Sequence, residues 1–274
     1  MAAALRLLIA ALALLLALPC DAAGQGGKVI VLIGGNTPHN PGVHDAHGVI
    51  TRLARYLEGS PDIRAMKKVT IVAYPDGWPS DPRALDHAAT IVWDFDGLDH
   101  HPLNDPAHRR QVARLMRRGV GLVTFHQAST LLPTEQRTDL VQWLGGARYG
   151  MVDRTVETAS FTPAAHAISR GVRPFAYRDE FYPSIRFGGA PVTPILTALL
   201  HLEAAPAVPP TLRTVAWAYE RPGGGRSFGF TGLHYLASLD QPQLRKLLLN
   251  AIVWSAGVDV PAGGITSEGQ GETP

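Results

Sequence analysis

Four short runs of apolar, largely β-branched residues constrain this chain more than any other feature. They are Lys28–Ile33, Val69–Ala73, Thr90–Trp93 and Val120–Phe125, and each stops at a glycine or a polar turn. Such runs are too short for ordinary helices, and they suit strands covered on both faces in a parallel sheet. Between them the spacing becomes helical. Val49, Ile50, Leu53, Ala54 and Leu57 share one face of a segment over 47–57. A second helix is capped by Asn104 or Asp105, takes Pro106 in its first turn, and stops at Gly119. Its apolar stripe is Val112, Leu115 and Met116. A third, containing Leu140–Leu144, is stopped by Gly145-Gly146. This alternation predicts an α/β fold of flavodoxin-like type: a doubly wound, mostly parallel sheet with helices on both faces.

The second half is less regular. Residues 148–162 read as one or two extended strands, and 193–200, 214–219 and 227–231 as three more. The Gly223-Gly224-Gly225 run before the last of these is a hairpin turn. It lacks the Lys-Ser/Thr ending of a phosphate loop and precedes a strand instead of a helix. A final helix is capped by Asp240, buries Leu244, Leu247, Leu248, Ala251, Ile252 and Trp254, and ends at Gly257. Residues 261–274 have almost nothing to bury and are expected to be disordered.

The chain begins with Arg6, an apolar run over Leu7–Leu18, a break at Pro19, and small residues suited to cleavage after Ala22. That is the layout of a signal peptide, and the run is short for a membrane span. The expected organisation is therefore a signal peptide over 1–22, one domain over 28–257 and a tail, with no membrane span after cleavage and a periplasmic or secreted address. Cys20 is the only cysteine and leaves with the leader, so the mature chain has no disulfide, thiol nucleophile or thiolate metal ligand. The net charge is only +2, and Arg109, Arg110, Arg114, Arg117 and Arg118 read as one solvated helix face. A nucleic-acid partner would need a wider basic surface with interleaved aromatics.

Ligands of open parallel sheets bind beyond the carboxyl ends of the strands. The polar residues of this sequence collect there. His39, His44, Asp45 and His47 follow the first strand, and Asp76 and Trp78 the second. Asp94, Asp96, His100 and His101 follow the third, His126 and Gln127 the fourth, and His234 and Tyr235 the late strand over 227–231. His87, His108, His166 and His201 stand apart and read as ordinary surface or core histidines. His126 sits at a strand-to-turn elbow, the position that holds a nucleophile in related architectures. Ser129 and Thr130 come too late in the turn to share that position, so acyl transfer is not expected. An imidazole there can act as general base, general acid or metal ligand. His44 and His47, three residues apart, could share a helix face. The run Arg178-Asp179-Glu180-Phe181-Tyr182, taken as a loop, sets two carboxylates beside a phenol and suits acid–base work or sugar hydrogen bonding.

In order and spacing, four blocks resemble the ThuA-like family, named for trehalose utilisation and similar in fold to class I glutamine amidotransferases. They are His44-Asp45-Ala46-His47, the strand and elbow over 119–126, Asp179-Glu180-Phe181-Tyr182, and Gly229-Phe230-Thr231-Gly232-Leu233-His234 with the helix segment Leu249-Asn250-Ala251-Ile252-Val253-Trp254. The resemblance implies that His126 occupies the amidotransferase cysteine elbow, so glutaminase activity is not expected. It also implies a link to disaccharide catabolism beside dehydrogenases that make 3-keto sugars. The resulting expectation is an exported hydrolase or lyase acting on glycosides, including 3-keto-glycosides, with or without a divalent metal. Its catalytic candidates are His126, Glu180, Asp179, His234 and Tyr182. Its carbohydrate-binding candidates are His44, Trp78, Asp96, Gln127 and Tyr235. The alternative is a non-catalytic sugar- or metal-binding domain.

Overall fold

Alternation along the first strand, β1 (Lys28–Ile33), sets up two hydrophobic layers. Ile30 and Leu32 pack on one face of the sheet, and Val31 and Ile33 on the other. The structure, a computed structural model, describes residues 27–35, 39–132, 139–150 and 153–267. The expected signal peptide over 1–22 lies outside the described residues.

The helix α1 (Ala46–Gly59) follows β1, with Asp45 accepting from the Gly48 N–H as its cap. Then come the short α2 (Pro61–Ala65), β2 (Val69–Tyr74) and β3 (Ala88–Trp93). The helix α3 (Pro106–Arg117) is capped by Asp105 and leads to β4 (Gly121–Phe125). After β5 (Thr130–Leu131), α4 (Asp139–Leu144) and β6 (Gly146–Tyr149), a hairpin is formed by β7 (Thr155–Phe161) and β8 (Phe175–Phe181). The remaining elements are β9 (Arg186–Phe187), β10 (Thr193–Leu200), β11 (Thr211–Glu220), β12 (Arg226–Phe230) and α5 (Pro242–Ser255).

The main sheet has seven strands in the order β10-β11-β12-β4-β3-β1-β2. From β12 to β2 every pairing is parallel, and β10 and β11 extend that edge antiparallel. Helices α1 and α5 cover one face, and α3 and α4 the other. The doubly wound expectation therefore holds. The chain runs from β1 out to β2 and returns to β3 on the other side of β1, which creates a switch point at the strands' carboxyl edge. Helix α5 buries almost its whole circumference. It approaches β4 so closely that a Cβ on Gly121 would stand 2.1 Å from the Ser255 carbonyl oxygen. The glycine turn before β12 is the expected hairpin, with Gly224 and Gly225 at positive φ. The basic face of α3 is exposed at Arg110, Arg114 and Arg117. Among the described residues no helix is long and apolar enough to cross a membrane.

Three expectations need correction. Residues 178–181, taken as a loop, belong to β8, in register with β7 through Glu157↔Asp179 and Val156↔Glu180. Charged residues at buried strand positions hid the alternation. Asp240 does not cap α5. Gln241 does, accepting from the Gln243 N–H with Pro242 in the first turn, while Asp240 pairs with Arg52. The start of the tail is ordered. Ile265 is fully buried with its N–H on Asn250 Oδ1, and Thr266 bonds to Asp62. Residues 268–274 lie outside the described residues.

Candidate functional site

Strand β4 is buried along its whole length and runs directly into His126. The chain turns there with φ 45° at His126, and His44, in the loop after β1, has φ 48°. L-residues enter this region at a cost of order 1–3 kcal/mol. Among the described residues five non-glycines do so, and four of them (His44, Leu98, His126, Leu233) lie in loops at this one edge of the sheet. Strained backbone is thus concentrated at the carboxyl edge of the sheet. Gly97 serves the same crowding, since a Cβ there would stand 2.6 Å from the Gln127 carbonyl oxygen.

His126 is 1% exposed. Its Nδ1 lies 2.8 Å from the Thr231 carbonyl oxygen, which can only accept, so Nδ1 carries the proton and Nε2 presents a lone pair. Four groups face that nitrogen or its surroundings. The Tyr182 hydroxyl is 2.8 Å away and its ring stacks on the imidazole, His234 Nδ1 is at 3.2 Å, and Glu180 Oε1 is at 3.6 Å. The ring of His44 packs against both His126 and His234, with centroids at 4.8 and 4.3 Å. One donor atom from each of His44, His126, Glu180 and His234 falls within a group no wider than 4.8 Å, so these four could hold a metal ion. His39, His44 and Asp96 form a second such group sharing His44.

Burial sets the electrostatics. It drives the His126 imidazolium well below the usual range, with repulsion from His44 adding to the effect. Burial, then His234 and His39, lowers His44 to about 3; burial, then Arg154, lowers His234 to about 4. All three are neutral imidazoles near neutral pH. Burial raises Glu180, opposed by Arg154 and Arg148, and raises Tyr182 well above the usual phenol range.

The sequence candidates divide. His126, Glu180, Tyr182, His234 and His44 meet at one point, and Gln127 joins them through its amide, 3.4 Å from His44 Nε2. Tyr235 packs edge-on to His234, and Asp96 faces His39 at 3.5 Å. Asp179 is turned away from the cluster. Its carboxylate accepts from the N–H groups of Glu180, Leu233 and His234 and from the Ser238 hydroxyl. These bonds tie it to the loop that carries His234. Trp78 is engaged elsewhere: it donates to Gln111, stacks on His108, and lines a separate cavity of about 410 Å³ with Tyr74 and Asp76. His47 pairs with Asp76 at 3.0 Å, and His44 precedes α1 instead of sharing a face with it. His101 is buried, its Nδ1 accepting from the Leu103 N–H.

Two arginines escaped the sequence reading. Arg148 lies 3.8 Å above the Tyr182 ring, and Arg154 reaches Glu180 Oε2 at 3.5 Å. The available signal was a lone arginine within the otherwise apolar run Gly145–Tyr149.

The family model ThuA, described as trehalose utilisation, matches residues 29–255. Among solved structures, a ThuA-like protein from Parabacteroides merdae superposes with TM-score 0.61 at 14% identity, covering 89% of this chain and 98% of its own. One from Bacteroides uniformis gives 0.61 at 15%, covering 90% and 98%. A glutamine amidotransferase from Thermotoga maritima aligns at 0.47 and 11%, covering 84% and 98%. No curated protein matches. At these identities the solved structures show the fold alone.

Proposed function

This chain belongs to the ThuA family, which carries a role in carbohydrate metabolism, and from that premise we propose that it is an exported enzyme that breaks a glycosidic bond. One observation carries the proposal: the buried His126, Glu180 and Tyr182 converge with the half-buried His234 and His44 on a single point at the carboxyl edge of the sheet. No serine or cysteine stands at the elbow, so the groups that remain handle protons and oxygen charge.

The reaction that suits them is elimination from a glycoside oxidised at C3. The C3 carbonyl acidifies the C2 hydrogen. His44 takes that proton, and the C2–H electrons pass into an enolate whose charge rests on the C3 oxygen, to which the protonated Tyr182 hydroxyl donates at the edge of the inner triangle of His126, His234 and Glu180. The enolate then collapses, the C1–O bond breaks with its electrons on the leaving oxygen, and a proton from the protonated His44 completes the released alcohol. Tyr182 and Gln127 orient the sugar. Asp179 positions the loop of His234.

The test is to incubate the mature protein with a 3-keto-glycoside and with its unoxidised parent, following aglycone release and enone absorbance. Turnover of the keto form that is lost in His44→Ala is expected. Turnover of neither, with sugar binding intact by calorimetry, would instead make the cluster a binding site. Export is tested separately by sequencing the N-terminus of protein recovered from its native cells. A start at Ala23 is expected, and a chain retaining residues 1–22 removes the exported part of the proposal.

A further inference from the structure

The inner triangle raises a physical question. His126 Nε2 presents a lone pair because Nδ1 donates to Thr231. Glu180 Oε1 is a carboxylate oxygen and can only accept when ionised. His234 Nδ1 completes the triangle, with sides of 3.2, 3.6 and 3.7 Å. Among these three atoms at most one proton, on His234, is available, so they cannot satisfy one another. An anionic oxygen could not approach them without something positive between.

The size of the triangle identifies what fits. Zinc binds imidazole nitrogen at about 2.0–2.1 Å and carboxylate oxygen at about 2.0–2.2 Å, which sets tetrahedral ligand atoms about 3.3–3.5 Å apart. The observed sides bracket that spacing. Two imidazoles and a carboxylate form a catalytic zinc set, with the fourth position left for water or substrate. The outer contacts are also of the kind that orient ligands. Thr231 fixes the tautomer of His126, Arg154 steadies the other oxygen of Glu180, and Asp179 holds the backbone N–H of His234. The Tyr182 hydroxyl donates to His126 Nε2 at 2.8 Å without the ion and would yield that lone pair to it, turning with His44 toward the fourth position.

We infer that His126 Nε2, His234 Nδ1 and Glu180 Oε1 bind one divalent transition-metal ion of the zinc class. The inference rests on the proposed reaction only for its purpose: the ion would carry the negative charge that develops on the sugar oxygen, and His44 would move the proton. Metal binding itself stands on the triangle.

The experiment is to strip the mature protein with a chelator, titrate zinc by calorimetry, and count bound metal by mass spectrometry. Cobalt(II) substitution supplies a spectroscopic signature of tetrahedral nitrogen and oxygen ligation. One ion per chain is expected, with Glu180→Gln and His234→Ala each weakening binding by about 100-fold or more. His201→Ala, outside the cluster, should bind like the wild type, and circular dichroism shows whether each variant is folded. Wild-type protein that binds no zinc overturns the inference, as does a folded Glu180→Gln that binds zinc unchanged. Failure of the proposed reaction looks different: zinc bound in the triangle with no glycoside turned over. Turnover that survives complete chelation overturns the metal and leaves the reaction standing.

Discussion

Strands β4 and β12 lie side by side, and their two ends put buried polar groups to opposite uses. At the amino end sits Arg221, 8% exposed, its burial lowering it to about 10. Its guanidinium donates to the carbonyls of Val120, Trp143 and Gly224 and to the Ser227 hydroxyl, so each arm of the charge has a neutral acceptor. Beside it is an apolar cavity of about 500 Å³ lined by Met116, Val141, Trp143 and Tyr219. At the carboxyl end sits His126, its Nδ1 donating to the Thr231 carbonyl while its Nε2 faces Glu180 Oε1 and His234 Nδ1, and the backbone there is strained. An apolar cavity thus lies at the finished end, and the histidine cluster at the unfinished one. Buried polar groups that have all their partners hold a fold together. Those left aimed at a common point are available for a ligand.

Breaking each end should therefore have different consequences. The largest effect is expected from His126→Asn, a residue that tolerates positive φ. Turnover should fall by about 10²–10⁴-fold, while the melting temperature stays within a few degrees. Retained turnover would move the chemistry away from this end. Arg221→Met should do the reverse. It leaves buried carbonyls without a donor and should cost about 2 kcal/mol in urea unfolding, with kcat unchanged in the folded protein. A loss of kcat at full stability would show that the amino end is not merely structural.

The smallest effect concerns pH in the metal-free protein. His44 and His234 fall to about 3 and about 4 when folded, against an ordinary 6.5. A depressed folded value means that their contribution is fully present above pH 6.5 and is lost as the pH falls toward 4 and then 3. Both rings are half-buried, so solvent screens part of the effect. Thermal melts between pH 7 and 4 should show an acid-side loss that a His44→Gln, His234→Gln double variant flattens and that Arg221→Met leaves in place. A double variant as acid-sensitive as the wild type would assign the loss to other groups.

Much of the fold, and part of the site, is legible in the sequence. The apolar runs mark β1, β2, β3 and β4 because a buried parallel strand needs apolar residues on both faces. Proline in the first turn and glycine after the last mark α3. The histidines after β1, β4 and β12 can be assigned to one edge because strand direction alone sends them there. Strand β8 is hidden, since its Arg178, Asp179 and Glu180 read as a surface loop.

The sequence by itself determined the doubly wound sheet, the edge on which the histidines collect, and the presence of an imidazole instead of a nucleophile at the β4 elbow. Each follows from local pattern and strand polarity. Only the tertiary structure decided which of those residues meet. Asp179 and Glu180 are neighbours in sequence, but alternation along β8 turns one toward backbone donors behind the site and the other into it. Arg148, Arg154 and the Thr231 carbonyl enter through chain crossings that no local pattern records. Whether a carboxylate bonds to backbone amides or joins a triangle of lone pairs is set by distances of about one hydrogen bond, and those are fixed only when the β7–β8 hairpin docks beside the sheet.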